Sequence, residues 1–225
     1  MASSQLHLLH LSSPALPIGA YAYSQALEYA IEAGWLDGDA LGAWLEDGLM
    51  LGIARLDIPI LRRTLAVLGE VEAGDSQRND AVNYWNNRLL ASRETAELLL
   101  EDQQIGAALL RLLKTLDTPD LPEFMQPPAY AVAFAIACHR WNIGTDSAMQ
   151  AYAYSWLENQ ITAATKLVPL GQSAAQRLLL DLLECIPQAC SQGAAVADTD
   201  IGLSLSGLAM ASCRHERQHT RLFRS

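Results

Sequence analysis

Five residues near the end of the sequence, His215 to His219, have the types and spacing that metal chemistry uses. They read His-Glu-x-x-His, which on a helix directs two imidazoles toward one zinc ion and places the glutamate beside it as a general base. A catalytic zinc needs a third protein ligand, but the segment that follows, Thr220–Ser225, contains no His, Asp, Glu or Cys. We therefore interpret residues 214–225 as a segment that contacts a partner. A zinc hydrolase that uses His215, Glu216 and His219 is the alternative.

The other reactive side chains give weaker signals. Cys138 and His139 are adjacent, so on a helix their side chains diverge and cannot form a thiolate–imidazole pair. No glycine-rich phosphate loop is present. We predict no catalytic residue, no resident metal and no cofactor. A second alternative is a helical metal carrier, whose ligands would be His7, His10, Cys213, His215 and His219.

Composition and charge limit the classes of function. Hydrophobic residues make up 51% of the 225 residues, which is typical of a globular protein, and the net charge of −10 argues against nucleic acid as the main partner. The apolar run Ala129–Cys138 is too short to span a membrane. Four scattered cysteines and the lack of a signal-like beginning predict a cytoplasmic protein with free thiols.

Hydrophobic residues recur at helical spacing almost throughout, and no alternating strand pattern is found. We predict one all-α domain, residues 1–225, with about nine or ten helices. Residues 1–12 would form an N-terminal arm that could be mobile, and residues 214–225 a docking tail. The proline-rich stretch Thr118–Pro128 would be a connector. The predicted helices are Tyr21–Gly34, one capped by Asp39, one with Pro59 at its start or at a bend, Asp75–Ala91, Ser92–Leu116, Ala129–Trp141, Asp146–Leu167, Gly171–Gln192, and a last helix beginning near Asp198 or Thr199.

Three segments combine turn residues with aromatic, amide or arginine side chains, a composition that favours interfaces. Tyr21, Tyr23 and Ser24 of the first are expected to be exposed, whereas Glu28, Glu46 and Asp47 fit solvated helix faces. The tail carries four arginines and one glutamate on an acidic body, which suggests that it docks onto an acidic surface. The candidate partner-binding residues are Pro17, Gly19, Tyr21, Tyr23, Ser24 and Glu28 in the first segment, Pro169, Leu170, Gly171, Gln172 and Gln176 in the second, and His215, Glu216, Arg217, Arg221, Leu222, Phe223 and Arg224 in the third.

Together the three segments resemble the urease accessory protein F (UreF) family. The family begins with Ser-x-x-Leu-Pro-Ile/Val-Gly-x-Tyr-x-x-Ser-x-Gly-Leu-Glu, continues with Pro-Leu-Gly-Gln and closes on His-Glu followed by Arg-Leu-Phe-Arg-Ser. These stretches match Ser13–Glu28, Pro169–Gln172, His215-Glu216 and Arg221–Ser225. Ala26, Ala135 and Ala175 stand where glycine is expected from the family. Each alanine should favour helix but adds a methyl group where backbones can approach closely.

The resemblance implies an all-α, dimeric protein with no reaction of its own. It would bind the accessory protein UreD (also called UreH) and recruit the GTPase UreG, so that nickel is delivered into apo-urease while GTP hydrolysis is modulated. The same resemblance implies that UreD orders the tail and the Pro169–Gln172 segment. The surroundings of Tyr21 and the arginines of the tail would then shape the surface for UreG.

Overall fold

The structure is a computed structural model that describes residues 3–70, 75–116 and 121–225. Within these ranges the regular structure is helical and contains no strand, which confirms the predicted all-α domain. A π-helical segment, Gly48–Ile53, and two 3₁₀ turns, Ala20–Ala22 and Asp198–Asp200, lie between the α-helices. The α-helices are α1 (Ser4–Leu11), α2 (Leu27–Glu32), α3 (Ala40–Asp47), α4 (Asp57–Glu70), α5 (Ser76–Ala91), α6 (Ala96–Thr115), α7 (Tyr130–Arg140), α8 (Thr145–Leu167), α9 (Gln172–Leu183), α10 (Ile186–Ala195) and α11 (Ser206–His215).

Helix α7 lies at the centre of the molecule and packs against α4 and α6. Its residues from Ala131 to Cys138 are all buried, and five of these eight are not larger than alanine or cysteine, so neighbouring backbones can come close. The closest approach is at Gly106 of α6, where a Cβ atom would lie 2.1 Å from the carbonyl oxygen of Pro128. Only glycine fits there, because any side chain would overlap the chain that enters α7.

Several helix starts agree with the sequence analysis. Pro59 lies in the first turn of α4, where its missing N–H is tolerated. Asp75 caps α5 by accepting a hydrogen bond from the Gln77 N–H at 2.8 Å. Asp39 holds the N-cap position of α3 without a side-chain hydrogen bond. Local sequence signals therefore account for the starts of α4 and α5, whereas the predicted capping of α3 by the Asp39 side chain is not formed.

Three predicted helices differ from the structure. Tyr21–Gly34 is broken, because Gln25 and Ala26 adopt φ angles of 51° and 62° before α2 begins. The prediction that alanine at position 26 favours helix is wrong, since this left-handed conformation favours glycine. Gly171–Gln192 divides into α9 and α10 around Glu184 and Cys185, and the last helix, α11, starts at Ser206.

The ends and the connector complete the fold. Helix α1 buries Leu11 in the core and stacks His7 on Trp141 at 5.1 Å between ring centroids, while mobility of residues 1–12 stays a prediction. The predicted connector is irregular from 121 to 128, and its residues 118–120 lie outside the described ranges. Within the described ranges, no helix is long and apolar enough to cross a membrane.

Candidate functional site

The tail, residues 214–225, begins in the last turn of α11, which ends at His215. Turn hydrogen bonds follow directly, from the Arg217 N–H to Arg214 at 3.1 Å and from the Gln218 N–H to His215 at 3.0 Å. His219 is therefore outside the helix and exposed, whereas His215 is fully buried. The zinc-hydrolase alternative requires two imidazoles one helical turn apart, and this geometry is not formed.

The imidazole of His215 lies between two carboxyl groups. Its Nδ1 is 2.7 Å from Oε2 of Glu97 on α6, and its Nε2 is 3.3 Å from Oε2 of Glu28 on α2. Both ring nitrogens are thus directed to carboxylates of the same chain. His215 joins the end of α11 to two other helices, and its side chain is not available at the surface for a partner.

Glu28 binds the backbone of the tail. Its two carboxylate oxygens accept hydrogen bonds from the Leu222 N–H at 2.7 Å and the Phe223 N–H at 2.9 Å. Glu28 is only 7% exposed, so the expectation of a solvated face at this position is wrong. The two side chains differ in burial: Phe223 is buried, with the Nζ of Lys166 5.4 Å from its ring centroid, and Leu222 is 63% exposed.

The last two residues of the tail pair with residues 22–24. The Arg224 N–H donates to the carbonyl oxygen of Ala22 at 2.9 Å. The main-chain oxygen of Ser225 accepts from the Ser24 N–H at 2.9 Å and from the Ser24 hydroxyl at 2.6 Å. Ser225 is 1% exposed, and its own hydroxyl donates to Oε2 of Glu101 at 2.5 Å. The tail therefore ends in a buried polar contact.

Residues 23–26 bend away from helical geometry so that they can hold the tail. The Tyr23 hydroxyl donates to Gln104 at 2.5 Å, and the Gln25 amide donates to Glu101 at 2.8 Å. Tyr23 is 4% exposed and Ser24 is 0% exposed, so the expectation that these two residues are exposed is wrong; Tyr21, at 66%, is exposed. The first predicted segment therefore supports the tail more than it faces solvent.

The second predicted segment, Pro169–Gln176, takes no part in the hydrogen bonds that hold the tail. Gly171 holds the N-cap position of α9, and Pro169, Gln172 and Gln176 are exposed, with Leu170 half-buried. The structure connects it to the tail only indirectly, since α8 carries Lys166 over Phe223 in its last turn and ends shortly before Pro169. Gly19, in the first segment, adopts a φ of 79° at the start of the 3₁₀ turn.

A buried ion cluster beneath the tail was missed by the sequence analysis. Arg93 donates to Asp57 at 2.6 Å and to Asp102 at 2.9 Å, and the Tyr152 hydroxyl donates to Asp57 at 2.8 Å. These groups line a cavity of about 120 Å³ together with Glu101. Burial raises the pKa of Tyr152 well above its usual range, and its carboxylate neighbours add to this effect. One signal was available: Glu101 and Asp102 lie on the same face of α6 as its apolar residues Leu98, Ile105 and Leu109.

The outer surface of the tail has the composition of a protein-binding surface. Arg214, Arg217 and Arg224 are exposed on it, and Leu222 lies among them. Arg221 is exposed as well, and it forms an ion pair with Glu97. Arginine and large apolar side chains are the types that carry binding energy at interfaces. Fold and site together define a class: an all-helical protein that presents a docked, arginine-rich tail.

Comparisons with known proteins make the class specific. A model of the UreF family matches residues 35–183. The urease accessory protein UreF of Teredinibacter turnerae is 47% identical to this chain, and the match covers all of both proteins. The proteins of the same description from Alkalilimnicola ehrlichii and Chromohalobacter salexigens are also 47% identical, over 99% and 97% of this chain and 96% and 93% of their own. The chain belongs to the UreF family.

Proposed function

We propose that this chain is a non-enzymatic scaffold in urease maturation. It binds UreD (UreH) and recruits the GTPase UreG to apo-urease, so that nickel is inserted while GTP hydrolysis is modulated, and it acts as a homodimer in the cytoplasm. Family membership supports the role in urease maturation. The identity of each partner rests on the resemblance of the three segments to the family pattern.

The observation that carries the proposal is the ordered tail. A mobile tail would offer its arginines in many geometries, whereas Glu28 and Ser24 fix the backbone of residues 222–225. The exposed guanidinium groups and Leu222 are thereby held in one arrangement on a body of net negative charge. A preorganised surface of this kind loses little conformational entropy when a partner with acidic groups binds.

Neither alternative function gains support from the geometry. The zinc hydrolase needs His215 and His219 on one helical face, and the helix ends between them. The metal carrier needs a cluster of ligands, but the described residues bring no three His, Cys, Asp or Glu side chains together in an arrangement that could hold an ion. His7 and His10 lie instead against Trp141. Nickel enters the proposal as cargo of the assembly.

The test is capture of the partners by a variant that changes only the exposed surface. Arg217→Ala combined with Arg224→Ala removes two exposed guanidinium groups and leaves the backbone contacts of the tail intact. We expect retention of UreD and UreG in a pull-down to fall at least tenfold, since arginine is enriched among the interface residues whose truncation costs more than about 1 kcal/mol, and two are removed here. Arg62→Ala, an exposed arginine on α4, is the matched control.

The same variants test the effect on the GTPase. The rate of GTP hydrolysis by UreG, measured with and without this chain, should respond to the wild-type chain and to Arg62→Ala. It should not respond to the double variant. Normal partner capture and normal urease activation by the double variant would contradict the role of the tail.

A further inference from the structure

A second cavity, of about 270 Å³, lies between the π-helical segment Gly48–Ile53 and residues 203–208, which lead into α11. Its walls are mainly apolar and include Trp44, Trp156 and Leu205. An apolar cavity of about 150 Å³ is enough to hold benzene, so this one has room for a substituted aromatic ring. π-Helical turns are also frequent at functional sites.

Glycines let the two tryptophan rings lie directly against the backbone. A Cβ atom added at Gly48 would lie 2.7 Å from the ring of Trp156, and one added at Gly207 would lie 3.5 Å from the ring of Trp44. The indole N–H of Trp156 donates to the side-chain oxygen of Gln25 at 2.8 Å, which fixes the orientation of this ring. The aromatic walls of the cavity are therefore formed before anything binds.

Gln160 of α8 supplies a hydrogen-bond donor without a partner. The residue borders the cavity and is 2% exposed, and its Nε2 has no acceptor among the described residues. An amide donor that is buried without an acceptor is costly and rare in native proteins. This observation points to a bound group that brings an acceptor oxygen.

The N-terminus of α11 borders the same cavity. Its first residues, Ser206, Gly207 and Leu208, line the space, and no side chain caps the helix at Leu205. The N–H groups at the start of a helix have no acceptor within the helix, and the helix dipole places a partial positive charge there. Helices α8 and α11 thus both offer donors to an acceptor oxygen.

The charges around the cavity disfavour an anion. Asp47 and Glu94 border the cavity and are exposed at its mouth. Arg93, a cation that also borders it, is already bonded to Asp57 and Asp102. A bound carboxylate would therefore be repelled by the two carboxylates at the mouth, whereas an uncharged carbonyl oxygen accepts the same hydrogen bonds without this repulsion.

We propose that this cavity binds a small, uncharged carbonyl compound with a flat apolar body, such as an aromatic amide. The carbonyl oxygen accepts hydrogen bonds from Gln160 and from the start of α11, and the apolar body lies against Trp44 and Trp156. Because Gln160 is buried, a ligand must enter the cavity fully to reach it, which suits a free small molecule. The site goes beyond the proposed function and does not use the tail.

The experiment titrates the purified chain with three probes of similar shape and follows its amide NMR signals. Benzamide carries the uncharged carbonyl group, benzoate adds a charge, and toluene lacks the acceptor. Benzamide should shift the signals of Gly48, Gly52 and Gly207, which border the cavity, but not that of Gly171 at the start of α9. We expect a Kd of about 1 mM for benzamide, and binding at least about tenfold weaker for benzoate and for toluene.

Variants assign the contacts. Gln160→Leu removes the donor and keeps a side chain of similar size, so benzamide should bind about tenfold more weakly while toluene binding is not reduced. Gln172→Leu, at an exposed position of α9 outside the cavity, is the matched control. Asp47→Asn combined with Glu94→Gln removes the two charges at the mouth, so benzoate should bind at least about threefold more tightly and benzamide as before.

Three results would overturn the proposal. They are the absence of shifts at the three glycines at twenty times the expected Kd of benzamide, equal binding of benzamide and toluene, and an unchanged benzamide affinity in Gln160→Leu. The titration uses the chain alone, so a failure here does not affect the capture of UreD and UreG. Equally, loss of the proposed arginine surface would leave this cavity in place.

Discussion

Glu28→Gln is the sharpest test of how the tail is held. The substitution keeps the size and shape of the side chain but replaces one carboxylate oxygen with an NH₂ group. That group must face either the Leu222 N–H or the Phe223 N–H, which now lie 2.7 and 2.9 Å from the two oxygens. One charge-assisted hydrogen bond is lost and two donors are left opposed in a site that is 7% exposed. A loss of about 2–3 kcal/mol in the free energy of tail opening is expected.

Hydrogen exchange measures this quantity directly. The protection factors of the Leu222 and Phe223 amides should fall roughly 30- to 150-fold, while amides in α7 keep theirs. Glu32→Gln is the control: Glu32 lies on the same short helix and contacts the tail through the Gln218 side chain, but it is exposed, so little change is expected. Unchanged protection at Leu222 and Phe223 in Glu28→Gln would refute the reasoning, because the carboxylate would then not be what holds these amides.

Three stability predictions can be checked by urea denaturation. Gly106→Ala should lower the free energy of unfolding by about 3 kcal/mol or more, because the added Cβ would overlap backbone atoms. Gly69→Ala is the control: this helical position has open space around it, so the free energy of unfolding should rise by up to about 1 kcal/mol. Ala26→Gly should leave the free energy of unfolding almost unchanged, because glycine relieves the backbone strain at φ 62° and this offsets the lost methyl group. Ala135→Gly inside α7 should lower the free energy of unfolding by about 1 kcal/mol or more. Equal losses in the two variants would contradict the left-handed conformation of Ala26. Asp57→Asn, which replaces a charge-assisted hydrogen bond from Arg93 with a neutral one and leaves Asp102 as the counter-ion, should cost about 1.5–3 kcal/mol, and a loss below about 0.5 kcal/mol would show that the cluster is open to water.

Sequence periodicity was sufficient for the helical class and for most helix positions. The apolar stripes of α4 and α6 are regular, and prolines and capping residues mark several helix ends. It failed at residues 24–26, because the residues there are ordinary helix formers. Their backbone conformation is set by tertiary contacts instead. Ser24 binds Ser225 of the tail, and Tyr23 and Gln25 bind Gln104 and Glu101 of α6. Such contacts, between residues far apart in the chain, leave no local pattern.

The sequence features that predict the candidate site differ in part from the contacts that form it in the structure. The apolar pair of Leu222 and Phe223 between arginines suggested a docking segment, and the segment is indeed docked, but on its own chain. His215 and Glu28 were selected as surface residues, and they are internal supports. The arginines could be assigned to the surface because a guanidinium group is seldom buried without a partner. The burial of Glu28 could not be predicted in this way, because the backbone amides that bind its carboxylate belong to Leu222 and Phe223, far along the chain.

The docked tail also has a consequence for synthesis of the protein. The hydrogen bonds between Ser24 and Ser225 join residues 201 positions apart, and Glu101 contributes from the middle of the chain. A ribosome-bound chain can form α1–α8 and much of the core while the Ser24 donors and the Glu101 acceptor still lack their hydrogen-bond partners in the tail. The arginine surface is completed only after residues 221–225 have been synthesised and have folded back onto the body, so shorter nascent chains would be helical and compact but would lack this surface.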